Sequence, residues 1–354
     1  MKQLTIVCFT PYGEDWTWMI QELTAPDVRW IFMSDLADRP WKRRLRRPAF
    51  IKPISGFLTA LTARREHAAL LITMDPRLSF WAEFWCILLF VKVEHLVFSF
   101  NFDELPKGWK RLLFGFAFRR IDLMRVHSRM EIGLYRDYFG IPEERLKLGL
   151  WGVNKPDFAP KDALEPGDYL CAVGGNARDY ETLLVAGLLA PEIPMVWVVR
   201  PQNVAGMNLP AHIHVVTNVP HPEAMNYLAH SRAMVLPLKS AETPCGHVTL
   251  VSAMYLRKAI LATDSAGISD YVEEGVTGML CRPGDAEDLA RCMRAMWRDR
   301  EMLDRMGENG LRFAEAYCSE GNVRREMRDY LALRGLAASP VGESSLVEAD
   351  LPEA

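Results

Sequence analysis

The sequence predicts two doubly wound α/β domains in tandem, and three observations predict it. Short apolar runs alternate with amphipathic helical stretches along most of the chain, the pattern of parallel sheets covered by helices on both faces. The chain has 354 residues, room for two domains of roughly 100–200 residues each. A stretch rich in Pro, Asp, Lys and Gly at residues 151–166 divides the series, as a linker does.

In the first half, strands are expected near residues 4–9, 28–33, 69–73, 96–100, 121–127 and 146–150. A helix over 130–139 should stop at Gly140, with Pro142 just beyond, a common stop signal. The most apolar stretch, 78–102, is broken by Glu83, Lys92, Glu94 and His95. It falls short of the ~20 uninterrupted apolar residues of a membrane span and reads as a buried helix followed by a strand. In the second half, strands are expected near 169–173, 195–199, 213–216, 233–236, 259–262 and 277–280, with helices over 179–189, 222–229, 248–256 and 286–297. The expected boundaries are therefore 1–152 for the first domain, 153–335 for the second, whose last helix can pack back on the first, and a small, polar, acidic, disordered tail over 336–354.

Composition narrows the function classes. The chain is 49% hydrophobic and 25% charged with a formal net charge of -3, so no global polycation points to nucleic acid. Seven scattered cysteines, with no C-x-x-C pair and no metal-ligand spacing, fit a reducing cytosol better than a disulfide framework. Met1-Lys2-Gln3 runs straight into an apolar strand, so no signal peptide is read.

Doubly wound domains bind ligands at the carboxyl ends of their strands. After the 169–173 strand comes Gly174-Gly175-Asn176-Ala177-Arg178-Asp179-Tyr180, opening a helix. Two glycines let the backbone approach a ligand, and an arginine beside a helix N-terminus favours phosphate. The spacing is not that of a dinucleotide fingerprint, so a plain strand-to-helix turn stands beside that reading. After the 233–236 strand, one loop brings together Lys239, Glu242, Gly246 and His247, with a new helix from Val248. Glu242 can accept bonds from sugar hydroxyls or be a solvated loop carboxylate. The free N–H groups around Gly246, His247, Val248 and Thr249 can hold a diphosphate.

The run Gly267-Ile268-Ser269-Asp270-Tyr271-Val272-Glu273-Glu274-Gly275-Val276-Thr277-Gly278-Met279-Leu280, then Arg282-Pro283-Gly284-Asp285 and Leu289-Ala290, closely resembles the C-terminal domain of family 4 glycosyltransferases. The resemblance covers about 231–297. Phe139-Gly140-Ile141-Pro142 and Gly152-Val153-Asn154 resemble that family's domain junction. The family's second glutamate is missing: eight residues beyond Glu242 stands Leu250, and the helix position that usually carries it is Ser252.

The resemblance implies a GT-B architecture, two Rossmann-like domains facing a cleft. It further implies a retaining, metal-independent hexosyltransferase without cofactor, taking a nucleotide-sugar donor on the second domain. Arg178 would neutralise the departing diphosphate, assisted by Lys239 or Arg200. Arg200 is equally read as a surface arginine at a strand end. Backbone near Val219 would meet the base, and Ser252 would stand at the ribose. In the first domain, Gly13 in the loop after the first strand would lie near the phosphates. Asn101 or Asp103 replaces the histidine that similar enzymes place after the fourth strand. His127, at a strand end, is either a cleft residue or structural.

Basic and aromatic residues interleave in the first half, at 39–47, at Lys107-Gly108-Trp109-Lys110-Arg111 and at Arg119-Arg120. Such segments dock on anionic membranes at about 1 kcal/mol per basic residue; a solvated charged face is the alternative. The expected function is hexose transfer to a glycan or lipid-linked saccharide acceptor in bacterial cell-surface polysaccharide synthesis. The expected location is the cytoplasm, peripheral on the inner face of the plasma membrane. A catalytically silent GT-B partner is the alternative.

Overall fold

The computed structural model describes residues 4–11, 28–34, 50–102, 104–156, 162–242 and 245–336. It divides into two compact units, one running to Gly149 and resuming at Val323, the other from Leu150 to Asn322. Apart from Leu336, which is buried in the first unit's core, the expected tail 336–354 lies outside the described residues, as do Gly13, Asp103 and the basic run 39–47.

The first unit holds a parallel six-stranded sheet in the order β2-β1-β3-β4-β5-β6. Its strands are β1 (Leu4–Thr10), β2 (Val28–Ser34), β3 (Leu70–Thr73), β4 (Glu94–Val97), β5 (Leu123–Val126) and β6 (Leu146–Leu148). Helices α1 (Ile51–Arg65), α2 (Pro76–Leu88), α3 (Trp109–Phe118) and α4 (Arg129–Phe139) connect them. Alternate β1 residues serve opposite cores. Val7 and Phe9 pack under α1 and α2, whereas Ile6 and Cys8 meet Val323, Met327 and Leu331 of the last helix, α10 (Glu320–Ala332). A strand covered on both faces carries a continuous apolar run.

Local chemistry sets the helix ends. Asp75 caps α2 by accepting from the amides of Arg77 (2.8 Å) and Leu78 (3.1 Å), with Pro76 at the first helical position. The stretch 78–102 is thus helix and then strand, as its interruptions imply, and no described helix is long and apolar enough to cross a membrane. Gly140 ends α4 in the left-handed conformation (φ +69°).

The second unit holds another parallel six-stranded sheet, ordered β12-β11-β10-β7-β8-β9. The strands are β7 (Leu170–Val173), β8 (Met195–Val199), β9 (Ile213–Thr217), β10 (Ala233–Leu236), β11 (Ala259–Thr263) and β12 (Gly278–Cys281). The helices are α5 (Tyr180–Leu189), α6 (His221–His230), α7 (His247–Tyr255), α8 (Ala286–Arg298) and α9 (Arg300–Tyr317). The chain builds β7, β8 and β9 outward to one edge, then returns to place β10 on the other side of β7. The strand order reverses between β7 and β10, the place in an open α/β sheet where ligands meet the carboxyl ends of the strands. Helices α1, α3 and α9 add to those the sequence pattern marked out.

Much of the motif that carries the family resemblance is a folding device. Gly275 is left-handed (φ +76°) and its amide donates to the Gly278 carbonyl at 2.8 Å. The Thr277 hydroxyl accepts from the Glu273 amide at 2.9 Å. A Cβ on Gly278 would stand 2.3 Å from the Ile260 carbonyl oxygen, so only glycine lets β12 lie against β11. Asp285 caps α8 through the Asp288 amide.

Candidate functional site

At the reversal between β7 and β10, the two strand-end loops are laced together. The Asp179 amide donates to the Pro237 carbonyl and the Lys239 amide to the Ala177 carbonyl, both at 3.0 Å. The Leu238 amide donates to the Thr263 hydroxyl at 2.8 Å, tying the end of β11 to the same group. Gly174 (φ +110°) and Ala177 (φ +53°) are both left-handed, which turns the chain sharply out of β7.

Arg178 emerges from this turn. It is 4% exposed, and its Nη1 donates to the Asn176 carbonyl at 2.9 Å and lies 3.9 Å from the Cys245 sulfur. Its Nε is buried without a partner, and it forms no ion pair among the described residues. Buried cations in folded proteins are paired as a rule, since an uncompensated one costs several kcal/mol. Glycines flank the guanidinium on two sides: a Cβ on Gly174 would be 3.0 Å from Nη2, and one on Gly246 3.3 Å from Nη1.

Gly246 (φ +101°) is also the N-cap of α7, and no side chain caps that helix. The first amide to close a backbone bond there is that of Leu250, to the Gly246 carbonyl. The amides of His247, Val248 and Thr249 therefore form an uncapped helix start beside a buried arginine. Two sources of positive potential are stacked together, an arrangement suited to an anion.

His247 anchors this end. It is 4% exposed, its Nε2–H donates to the Gly267 carbonyl at 2.7 Å, and its ring lies 4.6 Å from that of Tyr271. Burial, and then the nearby Arg178 charge, push its pKa down to about 4, so it is neutral at physiological pH. Tyr271 and Gly267 belong to the family-like run, and their part in holding α7 is not visible from spacing.

The other predicted donor residues divide. Gly175 lies under Arg200, whose Cδ would be 3.1 Å from a Cβ there, and Asn203 donates to the Gly175 carbonyl at 2.9 Å. The exposed Arg200 thus covers the first glycine loop with its aliphatic stem. Lys239 and Glu242 are exposed; the Glu242 amide donates to the Ser240 hydroxyl at 3.0 Å. Val248 is exposed and Thr249 half-buried on the first turn of α7. Val219 follows β9, two strands from β7 and so roughly 10 Å along the hydrogen-bonding direction. Ser252 faces inward. It is 1% exposed and its hydroxyl donates to the Val248 carbonyl of its own helix at 2.8 Å.

In the first unit, His127 is 1% exposed. Its Nδ1–H donates to the Gly149 carbonyl (3.0 Å) and its Nε2 accepts from the Ser99 hydroxyl (2.8 Å). Asn101 donates its amide to Glu131 at 2.8 Å. Glu131, which spacing did not single out, is fully buried and also accepts from the Tyr135 and Ser128 hydroxyls and the His127 amide. Burial pushes its carboxyl up despite these donors. His127, Asn101 and Glu131 together hold the segments that follow β4 and β5.

Comparison with known proteins gives a family match over part of the chain and the fold. Residues 202–313 match the family model described as glycosyl transferases group 1. Sucrose-phosphate synthase from Thermosynechococcus elongatus superposes with a TM-score of 0.69 at 18% identity, over 95% of this chain and 90% of that one. Anabaena HepE in complex with UDP gives 0.69 at 15% identity, over 94% and 100%. The chain therefore has the GT-B fold. Trehalose phosphorylase of Grifola frondosa is 29% identical over 132 residues, 35% of this chain and 17% of the phosphorylase, so the match spans only a minor part of that enzyme. The family match and the fold together support a glycosyltransferase.

Proposed function

We propose that the protein is a metal-independent, retaining hexosyltransferase that binds a nucleotide-sugar at the β7–β10 reversal of its second unit. The observation that carries this reading is Arg178, buried without an acidic partner between two left-handed glycines at the uncapped start of α7. A diphosphate there receives the guanidinium and the α7 amides. As the sugar–phosphate bond breaks, the same groups hold the charge that develops on the leaving phosphate, the work a metal does elsewhere. Exposed Glu242 meets sugar hydroxyls, and Lys239 adds positive charge. Arg200 and the backbone near Val219 reach toward the base, across the sheet edge from Arg178. HepE, a protein of the same fold, has been crystallised with UDP-glucose, which makes uridine donors the first to try.

Retention lets the departing phosphate take the acceptor proton, so no strong protein base is required. The acceptor is a glycan or lipid-linked saccharide of cell-surface polysaccharide synthesis. Its location is cytoplasmic, peripheral on an anionic membrane surface. Asn101 and His127 serve the acceptor side by holding its loops. One observation favours the alternative, a silent GT-B partner that binds nucleotide without turnover. Leu250 and the inward-facing Ser252 leave no second carboxylate on α7.

The test is binding and slow hydrolysis of UDP-, GDP-, ADP- and dTDP-sugars by the purified protein, with Arg178→Ala and Glu242→Ala beside it. One donor bound and hydrolysed, with binding lost in the first variant and hydrolysis lowered in the second, is the expected result. Binding without hydrolysis selects the silent partner. Folded protein that binds no donor overturns the site.

A further inference from the structure

Single exposed apolar side chains are normal, but a concentration of them marks an interaction surface. Sixteen large hydrophobic side chains are exposed among the described residues, and eight of these lie on one helical layer of the first unit. Three are on α1 or its N-cap, two at the end of α2, and three on α3. On α3 they form a stripe: Trp109 (69% exposed), Leu112 (74%) and Phe116 (42%), at spacings that share one helix face. Phe90, 90% exposed, projects from the turn after α2 in a left-handed conformation (φ +54°) that bulky residues rarely adopt. It shares the rim of an open recess with Arg119 and Arg120, at the end of α3.

Two cations flank the stripe without a carboxylate, Lys110 and Arg120, while Arg111 and Arg119 donate to the Tyr138 and Phe139 carbonyls and Glu83, Glu94 and Asp122 line the recess beside Phe90. Lys110, Arg111, Arg119 and Arg120 form no ion pair among the described residues. The Lys110 ammonium lies 6.0 Å from the Trp109 ring centre and the Arg120 guanidinium 5.3 Å from that of Phe116. Several surface arginines elsewhere find carboxylates: Arg291 pairs with Asp288, Arg294 with Glu192 and Arg136 with Glu143. Apolar rings beside unpaired cations on one short helix complement a bilayer interface, where the rings enter the headgroup–acyl boundary and the cations meet anionic phosphates.

The geometry points to α3, together with Phe90, as the element that seats this protein on an anionic lipid surface. This deepens, and rests on, the peripheral-membrane part of the proposed function; it is independent of the donor site.

The test is flotation of the full chain with vesicles of phosphatidylcholine alone or mixed with phosphatidylglycerol. The variants are Lys110→Gln/Arg120→Gln and Trp109→Ser/Leu112→Ser, with nucleotide binding measured on each as the check of folding. The expected result is recovery with phosphatidylglycerol vesicles only. The charge variant should weaken it about 25-fold, at roughly 1 kcal/mol for each cation removed. The apolar variant should also weaken it, with nucleotide binding unchanged in both. Wild-type protein that ignores phosphatidylglycerol overturns the peripheral reading altogether. Wild-type binding that both variants retain overturns the assignment to α3 alone. A lipid-free dimer that the apolar variant dissolves shows the stripe to be a self-association surface instead.

Discussion

Replacing Arg178 by methionine keeps the aliphatic volume and removes the charge, and in the ligand-free protein this should be tolerated or even stabilising. The guanidinium is 4% exposed, has no acidic partner, and sits beside the α7 start. A full charge and about half a charge some 4–5 Å apart, at an effective dielectric near 20, repel by about 2 kcal/mol. Burial adds a desolvation penalty of several kcal/mol. Against this stands the bond to the Asn176 carbonyl, about 1.5–3 kcal/mol for a charged donor. Asn176 is exposed, so water can replace that donor. The net expectation is a ligand-free stability unchanged or raised by up to about 2 kcal/mol, while the affinity for UDP falls by about 2–5 kcal/mol, roughly 30- to 5,000-fold. Thermal unfolding with and without UDP reads both quantities. Ligand at a hundred times Kd should stabilise the wild type by about 2.7 kcal/mol, and the variant should lose most of that shift. A variant that melts well below wild type without ligand, or keeps the full UDP shift, would refute the reasoning and make Arg178 a structural residue.

Four further outcomes follow from the same geometry. Gly278→Ala should destabilise by about 1–3 kcal/mol, through the clash with the Ile260 carbonyl, yet leave nucleotide affinity of the folded protein intact. Gly246→Ala, at φ +101° and against Arg178, should lower both, as denaturation and calorimetry would separate. His247 carries a pKa of about 4 in the fold against an ordinary 6.5, so the unfolded chain takes its proton first. Stability is then lost as pH falls from about 6.5 toward 4, by about 3 kcal/mol at ~1.4 kcal/mol per pH unit. Comparing urea midpoints of wild type and His247→Gln over that range isolates this contribution from that of Glu131, whose raised carboxyl acts in the opposite sense. His127→Ala should cost about 1–3 kcal/mol, since it strips bonds from Ser99 and Gly149 in a buried place, and should leave UDP affinity unchanged by titration calorimetry.

The sequence alone determined what depends on neighbours in the chain. The alternation of strands and helices, the stop at Gly140, the Asp285 cap after Gly284 and the two loops at Gly174 and Gly246 are matters of local dihedral freedom and capping, decided within a few residues. The loops after β7 and β10 were legible for that reason, and the strand order makes them meet. Only the tertiary structure decided which of the named side chains are buried and against what. Arg178 lies beside Cys245, 67 positions along the chain. His127 is held by Ser99 and Gly149, 28 and 22 positions away. Ser252 turns into its own helix, and Glu131 gathers four donors that no spacing announces. Partnership and desolvation arise from contacts that the folded core brings together, and it is desolvation without a partner that separates Arg178 from an ordinary loop arginine.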